Sequence, residues 1–157
     1  QGKKEIYVPY NSYRLNQTSE DAANVIRPKH INQDDTRYEL HRVWVVEGVL
    51  RDGLNHVYHK RTFYFDEDTW QIVLAEDYNE SGKLWRVSEA HTINNYQVPA
   101  TWIAVELTYD LESERYYLDG VDREGPINYD PEFKRREFTT SAARRACRRR
   151  SKGRSAS

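Results

Sequence analysis

The stretch Tyr38 to Leu50, YELHRVWVVEGVL, places Tyr38, Leu40, Trp44, Val46 and Leu50 at even positions, while the odd ones mix Glu39, His41 and Glu47 with valines. A two-residue period of this kind is that of a strand with one face turned to a core. Further strands follow at meander spacing: Val57 to Phe65, Trp70 to Tyr78, Lys83 to Val98, Thr101 to Asp110 and Arg115 to Leu118. Turn chemistry separates them at Arg51-Asp52-Gly53, Asp66 to Thr69 and Asn79 to Gly82. Short connections make successive strands antiparallel neighbours, and the fourth is long enough to bend near Asn94-Asn95.

Outside the meander the pattern changes. Ile6 to Leu15 is aromatic and broken by Pro9, so it reads as an extended edge segment. Thr18 to Asp21 offers caps and acids before a short helical stretch, Ala22 to Ile26, which Pro28 stops. After Gly125-Pro126 a connector, Tyr129 to Phe138, leads to Thr139-Thr140-Ser141, which can cap a helix from Ala142 to about Arg149. The final SKGRSAS reads as disordered. The expected organisation is one mainly β unit, residues 1–138, followed by a short helix and basic tail, residues 139–157.

Centring the turns proposes a register. Phe63 then meets Trp44 and Ile72, Phe65 meets Arg42 and Trp70, and Arg61 meets Val46 and Leu74. Trp85, Val87, Glu89 and His91 in turn meet Glu76, Leu74, Ile72 and Trp70. One face collects Trp44, Val46, Phe63, Phe65, Trp70, Ile72, Leu74, Trp85 and Val87 and is expected to be the inner one. The other face collects Lys60, Thr62, Tyr64, Gln71, Val73, Leu84, Arg86 and Ser88. Agreement of three hairpins carries weight because a slip of one residue turns every side chain over.

Charges alter the picture, since the same register puts Arg42, Arg61, Glu76, Glu89, His59 and His91 on the apolar face. Buried charges are costly unless paired. Two readings stand: Arg61 pairs with Glu89 or Glu76 inside an ordinary core, or the face lines an incompletely filled cavity whose polar groups orient a ligand. The histidines lack a metal-binding spacing such as HExxH, so no metal or other cofactor is expected. No G-x-S-x-G or glycine-rich phosphate loop occurs. Glu76, Glu89 and His91 are the only actors an ester- or glycan-cleaving enzyme would have.

Gln1 to Phe133 holds 24 acids and 14 bases, whereas Lys134 to Ser157 holds 10 bases and one acid. An acidic body repels the polyanion that the basic tail would bind, which argues against a nucleic-acid partner. No apolar run approaches the roughly 18 to 20 residues that cross a bilayer. The single cysteine, Cys147, excludes an internal disulfide framework. The chain contains no methionine, so it is expected to be a piece of a longer protein.

The stretches VPYNSYRL, HINQDDTRYELHRVWVVEG, HKRTFYFDEDTWQIVLAEDY and GKLWRVSEAHTINNYQVPA resemble the C-terminal part of a bacterial family of exported proteins, the domain-of-unknown-function family 1329. This family is grouped with outer-membrane lipoprotein-sorting proteins. The resemblance runs from about Glu5 to about Arg145, and the run after Ala146 departs from it. It implies a curved antiparallel sheet like that of the lipoprotein carriers LolA and LolB, here an incomplete half-barrel with short helices at its ends. It also implies export to the periplasm or outer membrane of a Gram-negative bacterium. The implied partners are a hydrophobic ligand or lipoprotein, together with outer-membrane or transporter proteins. No catalytic residues come with it.

The expectation is therefore a non-enzymatic carrier that binds a lipid, acyl chain or lipidated protein. Trp44, Phe63, Phe65, Trp70, Ile72 and Trp85 are the apolar candidates, and Arg42, Arg61 and His91 the candidates for a polar head. The competing expectation is a structural or protein-interaction domain of the envelope whose face is filled core.

Overall fold

The computed structural model describes residues 1–18, 22–121 and 128–153. Seven strands follow in chain order: β1 (Gly2–Pro9), β2 (Tyr38–Val49), β3 (Lys60–Asp66), β4 (Ile72–Tyr78), β5 (Leu84–Asn95), β6 (Ala100–Asp110) and β7 (Arg115–Asp119). Each pairs antiparallel with the next in the chain, and β1 and β7 remain the two edges, so the sheet is an open meander and not a closed barrel. It is strongly curved. Ser12 N donates to Thr92 O at 2.9 Å and Thr92 Oγ1 donates to Pro9 O at 3.3 Å, so the end of β1 touches β5, which lies several strands away in the sheet order.

The lead-in segment is more regular than its composition suggests. β1 starts at Gly2 and pairs with β2 from Gly2 opposite Val45 to Pro9 opposite Tyr38. Pro9 is its last residue, where a missing N–H removes no interior ladder bond. Two short helices follow, α1 (Tyr13–Thr18) and α2 (Ala22–Val25). The acidic cap expected at residues 19–21 lies outside the described residues.

The core lies on the face opposite to the expected one. Leu15 of α1, Val25 of α2 and Ile31 pack on Ile93, Ala104, Val105 and Leu107, while Val8 and Tyr10 pack with Val43, Val45 and Val73. A row of directly opposed residues, Val45, Tyr64, Leu74, Glu89, Leu107 and Leu118, joins these clusters across β2 to β7. In β2 the contrast is sharp: Val43 and Val45 are 0 and 2 % exposed, Trp44 and Val46 37 and 46 %. Val8 and Tyr10 cover Val43 and Val45 on the odd-numbered side of β2, whose β-branched side chains suit that close packing.

Register departs from simple centring in two ways. Trp44 pairs with Phe65 and Val46 with Phe63, a two-residue shift that keeps the face. Three β-bulges then turn side chains over, one opposite Tyr64 and Phe65 at Val73, one at Trp85 between Leu84 and Arg86, and one at Ala104 between Ile103 and Val105. Leu74, Glu76, Val87, Glu89 and His91 therefore join the covered face, whereas Arg86 and Ser88 join the open one. Strand ends also move: Trp70 and Gln71 precede β4, residues 57–59 precede β3, and a turn replaces the expected end of the long strand after Asn95.

The chain divides into two compact units, Gln1–Glu124 and Gly125–Ser157. In the second, α3 (Thr140–Gly153) begins where the caps predict, with Thr139 Oγ1 accepting from Ala142 N at 3.3 Å. It runs past Arg149 through residues expected to be disordered, an extension that arginine and lysine favour. Residues 154–157 and the change of character at Gly125-Pro126 lie outside the described residues.

Candidate functional site

The open face carries two parallel rows of opposed residues. Val46, Phe63, Ala75, Ser88, Thr108 and Tyr117 form the first, across β2 to β7. Two residues along each strand lies the second, Arg61, Asp77, Arg86, Asp110 and Arg115, which alternates in sign from β3 to β7. Beyond the first row in the other direction stand Trp44, Phe65 and Ile72 on β2 to β4, then Ala90 and Glu106 on β5 and β6.

Side-chain size along these rows makes a groove. Ala75, Ser88, Ala90 and Thr108 form a floor of small residues, and Phe63, Phe65 and Ile72 stand beside it as a wall. Ala75 and Ala90 are 6 and 8 % exposed. The trough has a volume of about 230 Å³. Through Thr108 it meets a wider hollow of about 540 Å³ lined by Tyr58, Arg86, Asp110, Ser113, Arg115 and Tyr117. A strip of alanine and serine between an apolar wall on β3 and β4 and Glu106 and Thr108 on β6 can take an extended apolar chain.

The charged row flanks one side of this groove. Arg61 Nε lies 2.6 Å from Asp77 Oδ1, and the Asp77 side chain is only 4 % exposed. Arg86 Nε donates to Asp110 Oδ2 at 3.2 Å and its Nη1 to Tyr58 Oη at 2.7 Å, with the guanidinium 4.3 Å from the Trp85 ring centroid. Trp85 Nε1 also donates to Asp110 Oδ2, at 3.0 Å. Asp110 Oδ1 accepts from Ser113 N at 2.9 Å and Glu112 N at 3.2 Å. The Ser113 backbone bond leads these donors in holding the Asp110 carboxyl down at about 2.

The structure thus brings together five of the nine expected binding residues on the open face near the groove: Trp44, Phe63, Phe65, Ile72 and Arg61. Trp85 reaches the same end through its bulge, edge-on to Tyr58 at 5.7 Å between centroids. Arg42 is on that face but is paired with Glu67, which also holds Lys3. Trp70 stands in the β3–β4 turn at φ +58° and 67 % exposed, away from the groove floor. His91 is fully buried on the covered face and cannot contact a ligand there. Tyr58, Ala75, Arg86, Ala90, Asp110 and Arg115 were not expected. For Ala75, Arg86 and Ala90 the placement depends on bulges that no glycine or proline marks.

Two clusters resemble chemistry without offering it. Ser12 Oγ lies 3.2 Å from His91 Nδ1, and His91 Nε2 lies 3.4 Å from Glu89 Oε2, whose carboxylate accepts from Tyr38 Oη. A serine, a histidine and a glutamate in line suggest a hydrolase, but Ser12 and His91 are 0 % exposed and no substrate reaches them. His41, Asp66 and Asp68 place three possible ligand atoms within 4.8 Å of one another. Both Asp66 oxygens are already engaged, Oδ1 with His41 Nδ1 at 2.7 Å and Oδ2 with Thr69 N and Oγ1 at 3.0 and 2.7 Å, so the cluster fastens the β3–β4 turn.

A family model described as protein of unknown function (DUF1329) matches residues 1–144. The chain belongs to this family. It is 47 % identical over 146 residues to uncharacterized protein PA3922 of Pseudomonas aeruginosa, an alignment covering 92 % of the chain and 32 % of that relative. The chain thus spans about a third of that relative's length. A crystal structure from Vibrio parahaemolyticus, of a domain carrying the name of an outer membrane lipoprotein-sorting protein, is similar over 64 % of this chain and 41 % of that one. The TM-score is 0.41 and the sequence identity 13 %. Among the described residues no helix is long and apolar enough to cross a membrane.

Proposed function

We propose that this DUF1329 domain is a non-enzymatic carrier that holds the apolar chain of a lipid, or of a lipidated protein, in the groove of its open face. One observation supports the reading above others: a floor of small residues, Ala75, Ser88, Ala90 and Thr108, runs beside Phe63, Phe65 and Ile72 while the true core is on the other side of the sheet. A face that served only to cap a core would fill that floor with larger side chains. Affinity comes from apolar burial, about 25 cal/mol per Å² before the costs of ordering. The assignment to the periplasm or outer membrane rests on the family resemblance of the sequence.

The polar-head role expected of Arg42, Arg61 and His91 needs revision within this reading. Arg42 and Arg61 already hold carboxylates, and His91 is on the wrong face, so the charged row as a whole bounds the groove.

Native mass spectrometry of the full-length protein, purified from a bacterial envelope and measured before and after organic extraction, tests the proposal. An extractable hydrophobic adduct that rebinds is expected. A bare protein that takes up no added lipid overturns the carrier and favours a protein-interaction domain, whose partner would bury Trp44, Val46 and Ile72 instead.

A further inference from the structure

The charged row is unbalanced at one end. Arg61 and Arg86 each hold an aspartate, Asp77 and Asp110 respectively. Arg115 is directly opposite Asp110, yet the Asp110 oxygens are taken by Ser113 N, Glu112 N, Trp85 Nε1 and Arg86 Nε. No ion pair joins Arg115 to any other described residue. Arg115 is exposed and lines the 540 Å³ hollow with Tyr58 and Tyr117, and it also borders a second hollow with Arg27, Lys29 and Glu114. Three arginines against two aspartates also leave the row one positive charge in excess.

This cation stands at the far end of a path of mixed character. The trough lined by Ile72, Ala75, Ser88, Ala90 and Glu106 shares Thr108 with the hollow that Arg115 lines. From β4 to β7 the path crosses three strand spacings, about 14 Å. Tyr117, opposite Thr108, stands at the β7 end of the first row. A molecule with its chain on Ala75 and Ala90 would place its end group against Arg115.

We propose that the hollow is a head-group site for an anionic amphiphile, a carboxylate or phosphate on an apolar chain, with Arg115 as the residue that selects for the charge. The inference rests on the carrier reading above. Arg86 is fixed by Asp110 and Tyr58 and serves as a rigid backstop, whereas Arg115 forms the new charge-assisted bonds. Because the site is open to water, its contribution is moderate and salt-sensitive.

The test compares oleate, oleoyl lysophosphatidate and oleyl alcohol as competitors of a fluorescent acyl probe bound to the intact protein, with Arg115→Gln and Arg115→Lys variants. Both anions are expected to bind about five- to tenfold more tightly than the alcohol. Within the Arg115→Gln variant the anions should bind no more tightly than the alcohol, and Arg115→Lys should keep most of the preference. If only one anion shows the preference, that anion names the head, carboxylate or phosphate. Equal binding of alcohol and anions, or a preference that survives Arg115→Gln, overturns the head-group site and leaves the carrier standing. Failure of all three to bind overturns the carrier as well.

Discussion

Ala75 on β4 lies directly opposite Phe63 on β3, and this pairing of a methyl group with an aromatic ring sets the depth of the groove. Ala75 points to the open face, so a larger side chain there fills the groove without entering the core. Ala75→Phe is expected to weaken binding of an acyl probe by at least about tenfold, the effect of roughly 1.4 kcal/mol. Its circular dichroism and unfolding midpoint should match the parent. A variant that binds as well as the parent would remove the groove from consideration.

Adjacent residues of β2 should behave oppositely. Val43 is buried with Val8 and Val45, so Val43→Ala is expected to cost about 2 kcal/mol in urea unfolding and Val43→Asp to prevent folding. Trp44 is more than a third exposed and stacks under Lys3 Nζ at 4.6 Å, so Trp44→Ser should cost less than about 1 kcal/mol. The reverse ranking would mean that the core lies on the face the alternation first suggests.

The Arg61–Asp77 pair joins β3 to β4 with one partner buried and the other 41 % exposed. Removing the exposed partner strands a buried carboxylate. Arg61→Gln is expected to destabilise by about 1 to 2 kcal/mol, less than a fully buried pair because water reaches the arginine. The double variant with Asp77→Asn should recover part of that loss, which a double-mutant cycle in urea measures.

Several tyrosines give the fold an alkaline limit. Burial, followed by the charge of Glu89, pushes Tyr109 up to about 12, and burial with the bond to Glu76 does the same for Tyr78. Tyr38, buried beside Glu89, is raised further. A phenol whose folded value exceeds its ordinary value near 10 contributes stability that is full below pH about 10 and lost as pH rises toward 12. Absorbance at 295 nm should show these three un-ionised at pH 11 while exposed tyrosines titrate, and the urea midpoint should fall across the same interval. A single tyrosine transition near pH 10 in the folded protein would contradict the burial.

The antiparallel meander was legible because Asp66 to Thr69 and Asn79 to Gly82 announce their turns, and Trp44, Val46, Phe63 and Phe65 do share a face. The choice of core face was not. β2 is apolar at both parities, so Val43 and Val45 compete with Trp44 and Val46, and the packing of Val8 and Tyr10 decides which pair is covered. Past β3, each bulge adds one residue without a glycine to mark it, so Leu74, Val87 and His91 left the face that simple alternation assigned them. Arg86 and the alternating row were invisible for the same reason, since that row exists only once Trp85 is counted as the extra residue. Trp70, read as a strand residue, is in a turn at positive φ.

Photo-crosslinking with a diazirine-bearing fatty acid, with labelled residues located by fragmentation mass spectrometry, tests the central claim most directly, because neighbouring residues on a strand report opposite faces. Labels are expected on Phe63, Phe65, Ile72, Ala75, Ser88 and Ala90, with competition by unlabelled lipid. Labels concentrated on Val43, Val45, Leu74 and Leu107, or none that unlabelled lipid displaces, would contradict a ligand groove on the open face.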